Sequence, residues 1–133
     1  MSKLGCICGH TIVDQTDNIP YKAKFIRDQD QETFWKYADD IASFIDAIQS
    51  NRRDAWIKSY FSENYPPAID NASIIFDIVS YHERGLAGEL YQCENCGRVK
   101  IEVEDTNQFA SFRPEDDRFQ YIFQGIHKEQ DGG

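Results

Sequence analysis

Two kinds of hydrophobic spacing divide the chain into three parts. Residues 21–25 alternate apolar side chains with lysines, and residues 98–104 alternate them with charged side chains. Alternation of this kind is the period of a half-buried β-strand. Between about residues 30 and 83, apolar residues instead recur at steps of three and four, which is typical of amphipathic helices. The pattern predicts an α+β fold in which a helical insertion separates N- and C-terminal antiparallel strands.

Three helices are predicted within the insertion. Their ranges are Asp30 to about Gln49, Arg53 to Phe61, and Asp70 to His82. Asp30 is a candidate N-cap for the first helix, because its carboxylate can accept a hydrogen bond from an orphan N–H. The second must stop before Pro66, since proline lacks an N–H and its ring clashes with the preceding turn. Gly85 is expected to end the third.

Extended structure is predicted on both sides of the helices. The ranges are Leu4–Ile26, Leu86–Gln92, Val99–Val103 and Phe109–Phe112. Aromatic residues also alternate over 119–123, after the acidic loop Arg113–Asp117. That segment is either an extra strand or a segment packed on the core, or it is an exposed aromatic patch beside acidic residues. We expect one domain over residues 1–126 and a disordered tail over 127–133.

The second cysteine pair has the spacing of a metal-binding turn. Cys93 and Cys96 stand in the sequence YQCENCGR, between two predicted strands. The two-residue spacer lets both sulfurs reach one ion at about 2.3 Å. Gly97 permits the positive φ of a tight turn whose N–H groups point at the thiolates. A CxxC pair also suits redox chemistry, but a helix should then follow it, and residues 98–101 have a strand pattern.

The first cysteine pair is less regular, with one residue between Cys6 and Cys8 and a glycine after them. Two cysteine turns that each end in glycine resemble the zinc-ribbon fold, in which two β-hairpins hold one zinc ion. The resemblance covers about 10 N-terminal residues and about 25 around the second pair. The sequence departs from the family in its CxC turn and in the 84 residues, Gly9 to Gln92, that replace a short connection. The resemblance implies a split ribbon with one structural Zn²⁺ held by Cys6, Cys8, Cys93 and Cys96.

Two alternatives for the metal site stay open. His10 follows the first pair directly and could replace Cys6 or Cys8, since imidazole also binds zinc. Thiolate sites accept iron as well as zinc. A closed tetrahedral site of four cysteines is structural, whereas catalytic zinc keeps an open position. Ligands so far apart in sequence would couple metal binding to folding.

Charge and composition limit the partners of the protein. The chain has 133 residues with 23 acidic and 14 basic side chains, a net charge of −9, and four thiolates around Zn²⁺ would add a further −2. Such a surface repels phosphate and anionic lipid and attracts basic proteins. The sequence has no segment suited to a signal peptide or a membrane span. We therefore expect a cytoplasmic protein, where paired cysteines favour metal binding over disulfides.

The sequence offers no catalytic constellation, and we predict that the protein is not an enzyme. His82 falls at a predicted helix end, where it would cap carbonyls or lie on the surface. Asp39 and Asp40 point about 100° apart on a helix and are expected to be solvated. Four other aspartates could converge on a metal ion or a basic partner: Asp14, Asp17, Asp28 and Asp30.

Two functional hypotheses from different classes remain. The sequences CICGHTIVDQTDNIPYKAKF and LYQCENCGRVKIE resemble small bacterial proteins, some of them associated with toxin genes. That resemblance implies a non-enzymatic protein binder, specifically an immunity protein that neutralises a basic toxin. The alternative is a zinc-ribbon accessory factor acting on nucleic acid or in transcription and translation. It would need a basic face, for which the candidates are Lys22, Lys24, Arg27, Arg52 and Arg53.

Overall fold

The structure, a computed structural model, describes residues 3–104 and 107–126. The chain forms two compact units. The β unit combines both ends of the chain, Met1–Phe25 and Ala87–Gly133, and the helical unit is Ile26–Leu86. The predicted α+β class is confirmed. The single domain over 1–126 stays a prediction, and the tail expected to be disordered, 127–133, lies outside the described residues.

The β unit contains a hairpin and a four-stranded sheet. Its strands are β1 Lys3–Gly5, β2 Thr11–Val13, β3 Lys22–Ile26, β4 Ala87–Gln92, β5 Val99–Glu102 and β6 Phe109–Phe112. Strands β1 and β2 pair antiparallel, with Leu4 opposite Ile12. The sheet has the order β3-β4-β5-β6, and the last three strands are antiparallel neighbours. Each cysteine pair therefore lies in the turn of a β-hairpin, the first between β1 and β2 and the second between β4 and β5.

A buried tyrosine organises the small core of the β unit. Tyr91 is almost fully buried beside Ile12 and two of the cysteines. Its hydroxyl lies within hydrogen-bond distance of the carboxylates of Asp14 and Glu89 and can donate to either, and the Lys22 ammonium lies 2.5 Å from the Asp14 carboxylate. Burial alone would raise the pKa of Asp14, but the hydrogen bonds from Lys22 and Tyr91 outweigh it and hold that pKa below its usual range. This cluster satisfies the polar groups around the core.

The helical unit packs four helices around an apolar core. They are α1 Gln31–Trp35, α2 Tyr37–Gln49, α3 Arg53–Tyr60 and α4 Asn71–Glu83. Helix α2 contacts both α3 and α4, and α1 contacts α4. One side chain from α2, one from α3 and two from α4 are fully buried: Phe44, Ile57, Ile74 and Ile78. None of the helices in the described part of the chain combines the length and apolarity needed to cross a bilayer.

The prediction of one continuous first helix is wrong, because the range forms two helices, α1 and α2, with a break at Lys36. A short 3₁₀ turn, Asp28–Asp30, precedes α1, and the N–H of Lys36 bonds to the carbonyls of Thr33 and Phe34 instead of continuing an α-helical ladder. Asp30 occupies the N-cap position of α1 but makes no capping hydrogen bond through its side chain. The apolar spacing alone does not reveal this break, since α1 and α2 keep similar periods on either side of it.

Arg53 secures the proline-containing loop of the helical unit. Its guanidinium donates to the carbonyl of Pro67 at 2.6 Å, to the carbonyl of Ile69, and to the side chain of Asn71 at 2.8 Å. Proline-rich loops supply few N–H groups for their own hydrogen bonds, so a planar fork of five donors suits this position. The loop is thereby tied to the first turn of α3.

A polar cluster joins three helices of the same unit. The Asp40 carboxylate on α2 accepts a hydrogen bond at 2.5 Å from the Tyr60 hydroxyl on α3, and lies 2.5 Å from Nε2 of His82 on α4. Both Asp40 and His82 are half-buried, so the predictions that Asp40 is solvated and that His82 is a cap or surface residue are wrong. Burial alone would raise the pKa of Asp40, but hydrogen bonds from Tyr60 and His82 outweigh it and lower that pKa.

We expect Asp40→Asn to reduce the free energy of unfolding at pH 7 by about 1–3 kcal/mol, the range for hydrogen bonds to a charged group. Because the folded-state pKa of Asp40 is depressed, its contribution is present above the unfolded value of about 3.9 and is lost as pH falls below it. The difference between wild type and variant should therefore shrink between pH 7 and pH 3 in urea unfolding. Asp39→Asn is the matched control, since Asp39 is exposed. Equal effects of both substitutions would contradict the prediction.

The aromatic segment 119–123 is not a strand. It follows a turn at 117–118, has no regular structure at 119–120 and bends at Tyr121, which has a positive φ of 55°. Of the alternatives for this segment, the added strand is wrong. The side chains of Phe119, Tyr121 and Ile122 are exposed, and only Phe123 is half-buried.

Candidate metal centre

The two cysteine turns use the same hydrogen bonds despite their different spacers. In the first turn the N–H of Gly9 donates to the carbonyl of Cys6 at 2.9 Å, and the N–H of Cys6 donates to the carbonyl of His10 at 2.9 Å. In the second, the N–H of Gly97 donates to the carbonyl of Cys93 at 2.8 Å. Gly9 and Gly97 both have positive φ, 97° and 80°, as the turn requires. The one-residue shortening of the first turn therefore leaves its closure intact.

The four thiols converge on one point of the β unit. Their sulfur atoms all lie within 4.8 Å of one another, and each turn contributes two of them. Two close separations join the two turns: Cys6 to Cys96 at 3.5 Å and Cys8 to Cys93 at 3.6 Å. A tetrahedral site with metal–sulfur bonds of about 2.3 Å places its sulfurs about 3.8 Å apart. A disulfide needs about 2.05 Å, so these are free thiols spaced for a metal ion.

Burial and hydrogen bonding shift the pKa values of three of the thiols in different directions. Burial raises the pKa of the Cys93 thiol to about 12. The Asn95 side chain, which donates to the Cys8 sulfur at 3.4 Å, is the largest cause that lowers the pKa of Cys8 to about 6. Burial alone would raise the pKa of Cys96, but its hydrogen bonds with Arg98 outweigh that and lower it. A cation held among the sulfurs would favour the thiolate form of all four.

Asn95 and Arg98 contact cysteine sulfurs, and the sequence reasoning did not single them out. Asn95 lies inside the CxxC spacer, and its amide reaches across to the sulfur of Cys8 in the other turn. The Arg98 guanidinium lies 3.3 Å from the sulfur of Cys96. Donors to ligand sulfurs orient the ligands and balance their negative charge. Their positions within and directly after the CxxCG turn were the available signal.

The other residues proposed as ligands are not part of this group. His10 contributes its backbone carbonyl to the first turn, and its ring does not belong to the ligand cluster. Over residues 3–104 and 107–126, the four cysteines form the one group with the spacing of metal ligands. The predicted convergence of Asp14 with Asp17, Asp28 and Asp30 therefore does not occur as a metal-ligand group. Asp14 instead pairs with Lys22.

The Asp40 cluster consists of Asp40, Tyr60 and His82. Two of its members lie one helical turn from a core residue, and this spacing was the signal in the sequence for their burial. Asp40 precedes Phe44 by four positions, and His82 follows Ile78 by four. Side chains four apart share a helix face, so both polar groups had to point toward the core. The cluster is not among the groups of the described residues that could hold a metal ion, and it connects three helices.

Comparisons with known proteins support a family assignment but no assigned activity. The model of a family described as a domain of unknown function, DUF8617, matches residues 2–116. That range contains all four cysteines and the whole helical unit. Comparison with curated proteins and with solved structures gives no match. The chain belongs to the DUF8617 family.

Proposed function

We propose that the four cysteines hold one structural Zn²⁺ and that the β unit is a split zinc ribbon. The observation that supports this is the convergence of four free thiols, two from each hairpin turn, at separations that suit a tetrahedral S₄ site. All four coordination positions are then filled by protein, which is the arrangement of a structural site. Iron fits the same donors, so elemental analysis of protein purified without chelator is the deciding measurement.

The ion would supply stability that the small core of the β unit does not provide by itself. Its four fully or nearly buried core residues include two of the ligands themselves: Cys6, Ile12, Tyr91 and Cys93. Small cores of this kind are commonly supplemented by a metal or by disulfides. When bound, Zn²⁺ would supply coordinate bonds and positive charge and no redox chemistry.

We further propose that the protein is a non-enzymatic binding module of the cytoplasm. The free thiols suit a reducing compartment. The described residues contain no second group of metal ligands, and the one histidine–carboxylate pair with a tyrosine is committed to packing among helices. Exposed aromatic side chains on a chain of net charge −9 support a protein partner of positive charge.

In its specific form the proposal is that the protein is an immunity protein that neutralises a basic toxin. The contrary hypothesis, an accessory factor that binds nucleic acid, has less support because three of the five cations of its candidate basic face are already engaged within the chain. Lys22 pairs with Asp14 and Glu89, Arg52 pairs with Asp46, and Arg53 binds backbone carbonyls. Cations already bound to carboxylates are poor phosphate ligands.

The test is an affinity purification of the tagged chain from its host, without chelator. We expect about one zinc per chain and a basic protein retained in a near-equimolar amount. That protein should arrest growth when it is expressed alone, and co-expression of this chain should restore growth. The same preparation treated with a chelator is the control. Retention of nucleic acid in place of a protein, or of a protein whose toxicity the chain does not relieve, would overturn the immunity proposal.

A further inference from the structure

A buried glutamine fixes the C-terminal segment to the β unit. Gln92, at the end of β4, is 2% exposed. Its Nε2 donates to the carbonyl of Gly97 at 3.2 Å and to the carbonyl of Phe119 at 2.8 Å, and its Oε1 accepts from the N–H of Ile122 at 3.1 Å. Every polar atom of this side chain is thus paired, and two of the three bonds hold the backbone of 119–122.

The sheet register places this segment on the same face of the sheet as another aromatic residue. Gln92 is opposite Val99 on β5, and Val99 is opposite Phe112 on β6. Residues directly opposite one another in antiparallel strands have their side chains on the same face of the sheet. Segment 119–122 therefore lies on the face that carries Phe112. We call the exposed side chains of Phe112, Phe119, Tyr121 and Ile122 the aromatic surface.

The aromatic surface stays open to solvent although its backbone is fixed. Its four side chains are between 47% and 61% exposed. The positive φ of Tyr121 belongs to a turn that is closed by a hydrogen bond of 3.1 Å from the N–H of Gln124 to the carbonyl of Tyr121. A segment whose backbone is already fixed loses less conformational entropy when a partner covers it. Exposed apolar groups held in place in this way mark an interaction surface.

The charges next to the aromatic surface are predominantly acidic. Asp116 is engaged by the guanidinium of Arg118, whereas Glu115 and Asp117 are exposed and make no ion pair within the described residues. The acidic loop lines an open hollow of about 550 Å³ together with Cys96. Four thiolates around a divalent ion would add negative charge at the same place. The three carboxylates of this region outnumber its two cations, Arg113 and Arg118, and this excess favours a partner that carries positive charge.

We propose that the aromatic surface is the docking site for a basic protein, with Phe119 and Tyr121 as its central anchors. This inference rests on the proposed function, because the partner is the toxin that the chain would neutralise. Gln92 acts as a positioning residue, since it fixes the segment that carries both anchors. The acidic loop steers the partner toward the surface, and the aromatic side chains supply most of the affinity.

Site-specific photo-crosslinking in the host tests the proposal, with p-benzoylphenylalanine placed at position 119, 121 or 76 of the full chain. Phe76 is the matched control, because it is 70% exposed but lies on α4 of the helical unit. We expect positions 119 and 121 to crosslink one discrete basic protein, the one that wild type retains, and position 76 not to. Crosslinking from 76 alone, equally from all three positions, or to nucleic acid would overturn the docking site.

A pair of variants separates this inference from the proposed function. We expect Phe119→Ser with Tyr121→Ser to raise the Kd for the isolated partner by on the order of 30-fold, with unchanged zinc content and circular dichroism, and Phe76→Ser to leave it unchanged. If wild type retains the partner and the double variant binds it equally well, the docking site is wrong and the proposed function stands. If wild type retains no basic protein, both proposals fail.

Discussion

Cys93→Ser should release the bound metal and unfold the β unit. Cys93 is fully buried, so the substitution removes one of four ligands and leaves a buried hydroxyl that is a poor ligand at neutral pH. Structural zinc contributes about 10–16 kcal/mol of apparent binding free energy, which is comparable to the whole stability of a small domain, about 5–15 kcal/mol. We expect zinc content to fall from about one per chain to near zero, with loss of near-ultraviolet circular dichroism.

His10→Ala is the matched control for this prediction. His10 follows the first cysteine pair but stands outside the ligand group. Its role in the turn is a backbone carbonyl, which alanine also provides. We expect this variant to keep its zinc and its circular dichroism. Loss of zinc in His10→Ala, or a native spectrum with full zinc content in Cys93→Ser, would contradict the assignment of four cysteine ligands.

Phe44→Ala should cost about 3–5 kcal/mol in the free energy of unfolding, the range for removing a buried phenylalanine. Phe44 is fully buried where α2, α3 and α4 meet. The centroid of its ring lies 5.0 Å from that of the Trp56 ring and 5.8 Å from the Arg53 guanidinium carbon. The cavity would remove contacts from all three helices at once. Urea unfolding monitored by tryptophan fluorescence measures the effect, since Trp56 packs directly against the lost ring.

Phe76→Ala provides the comparison for Phe44→Ala on a helix of the same unit. Its side chain is mostly exposed, so we expect a change within about 0.5 kcal/mol. The two variants remove the same atoms, and only burial differs between them. Comparable losses of stability from both substitutions would show that the core of the helical unit is not organised around Phe44.

The grouping of the four cysteines at metal-binding distance was predictable from sequence because each cysteine turn is a local pattern. Two short turns, each ending in glycine, specify both the residues that bind and the backbone that presents them, and Gly9 and Gly97 adopt the positive φ expected of them. The α+β class was predictable for a similar reason, since strand and helix periods differ over only a few residues. The α+β class required no knowledge of which distant segments meet, and the joining of the two distant cysteine turns was inferred from their matching chemistry.

The features that sequence reasoning missed depend on contacts between distant segments. The alternation of aromatics over 119–123 suggested a strand, but the backbone of this segment bonds to the Gln92 side chain instead. In the same way, helical spacing can place Asp40 on the core side of α2, but its hydrogen-bond donors come from two other helices. Periodicity along one segment contains no information about such partners.

The separation of the two cysteine pairs also sets an order of events during synthesis. A ribosome that adds about 5–20 residues per second needs about 4–17 s to proceed from Cys8 to Cys93. All of the helical unit, Ile26–Leu86, is made in that interval. The first two thiols must therefore wait as an incomplete half-site while the helices form, and the ion can be enclosed only after Cys96 emerges. A nascent chain that stalls before that residue would expose Cys6 and Cys8 to oxidants and competing metals.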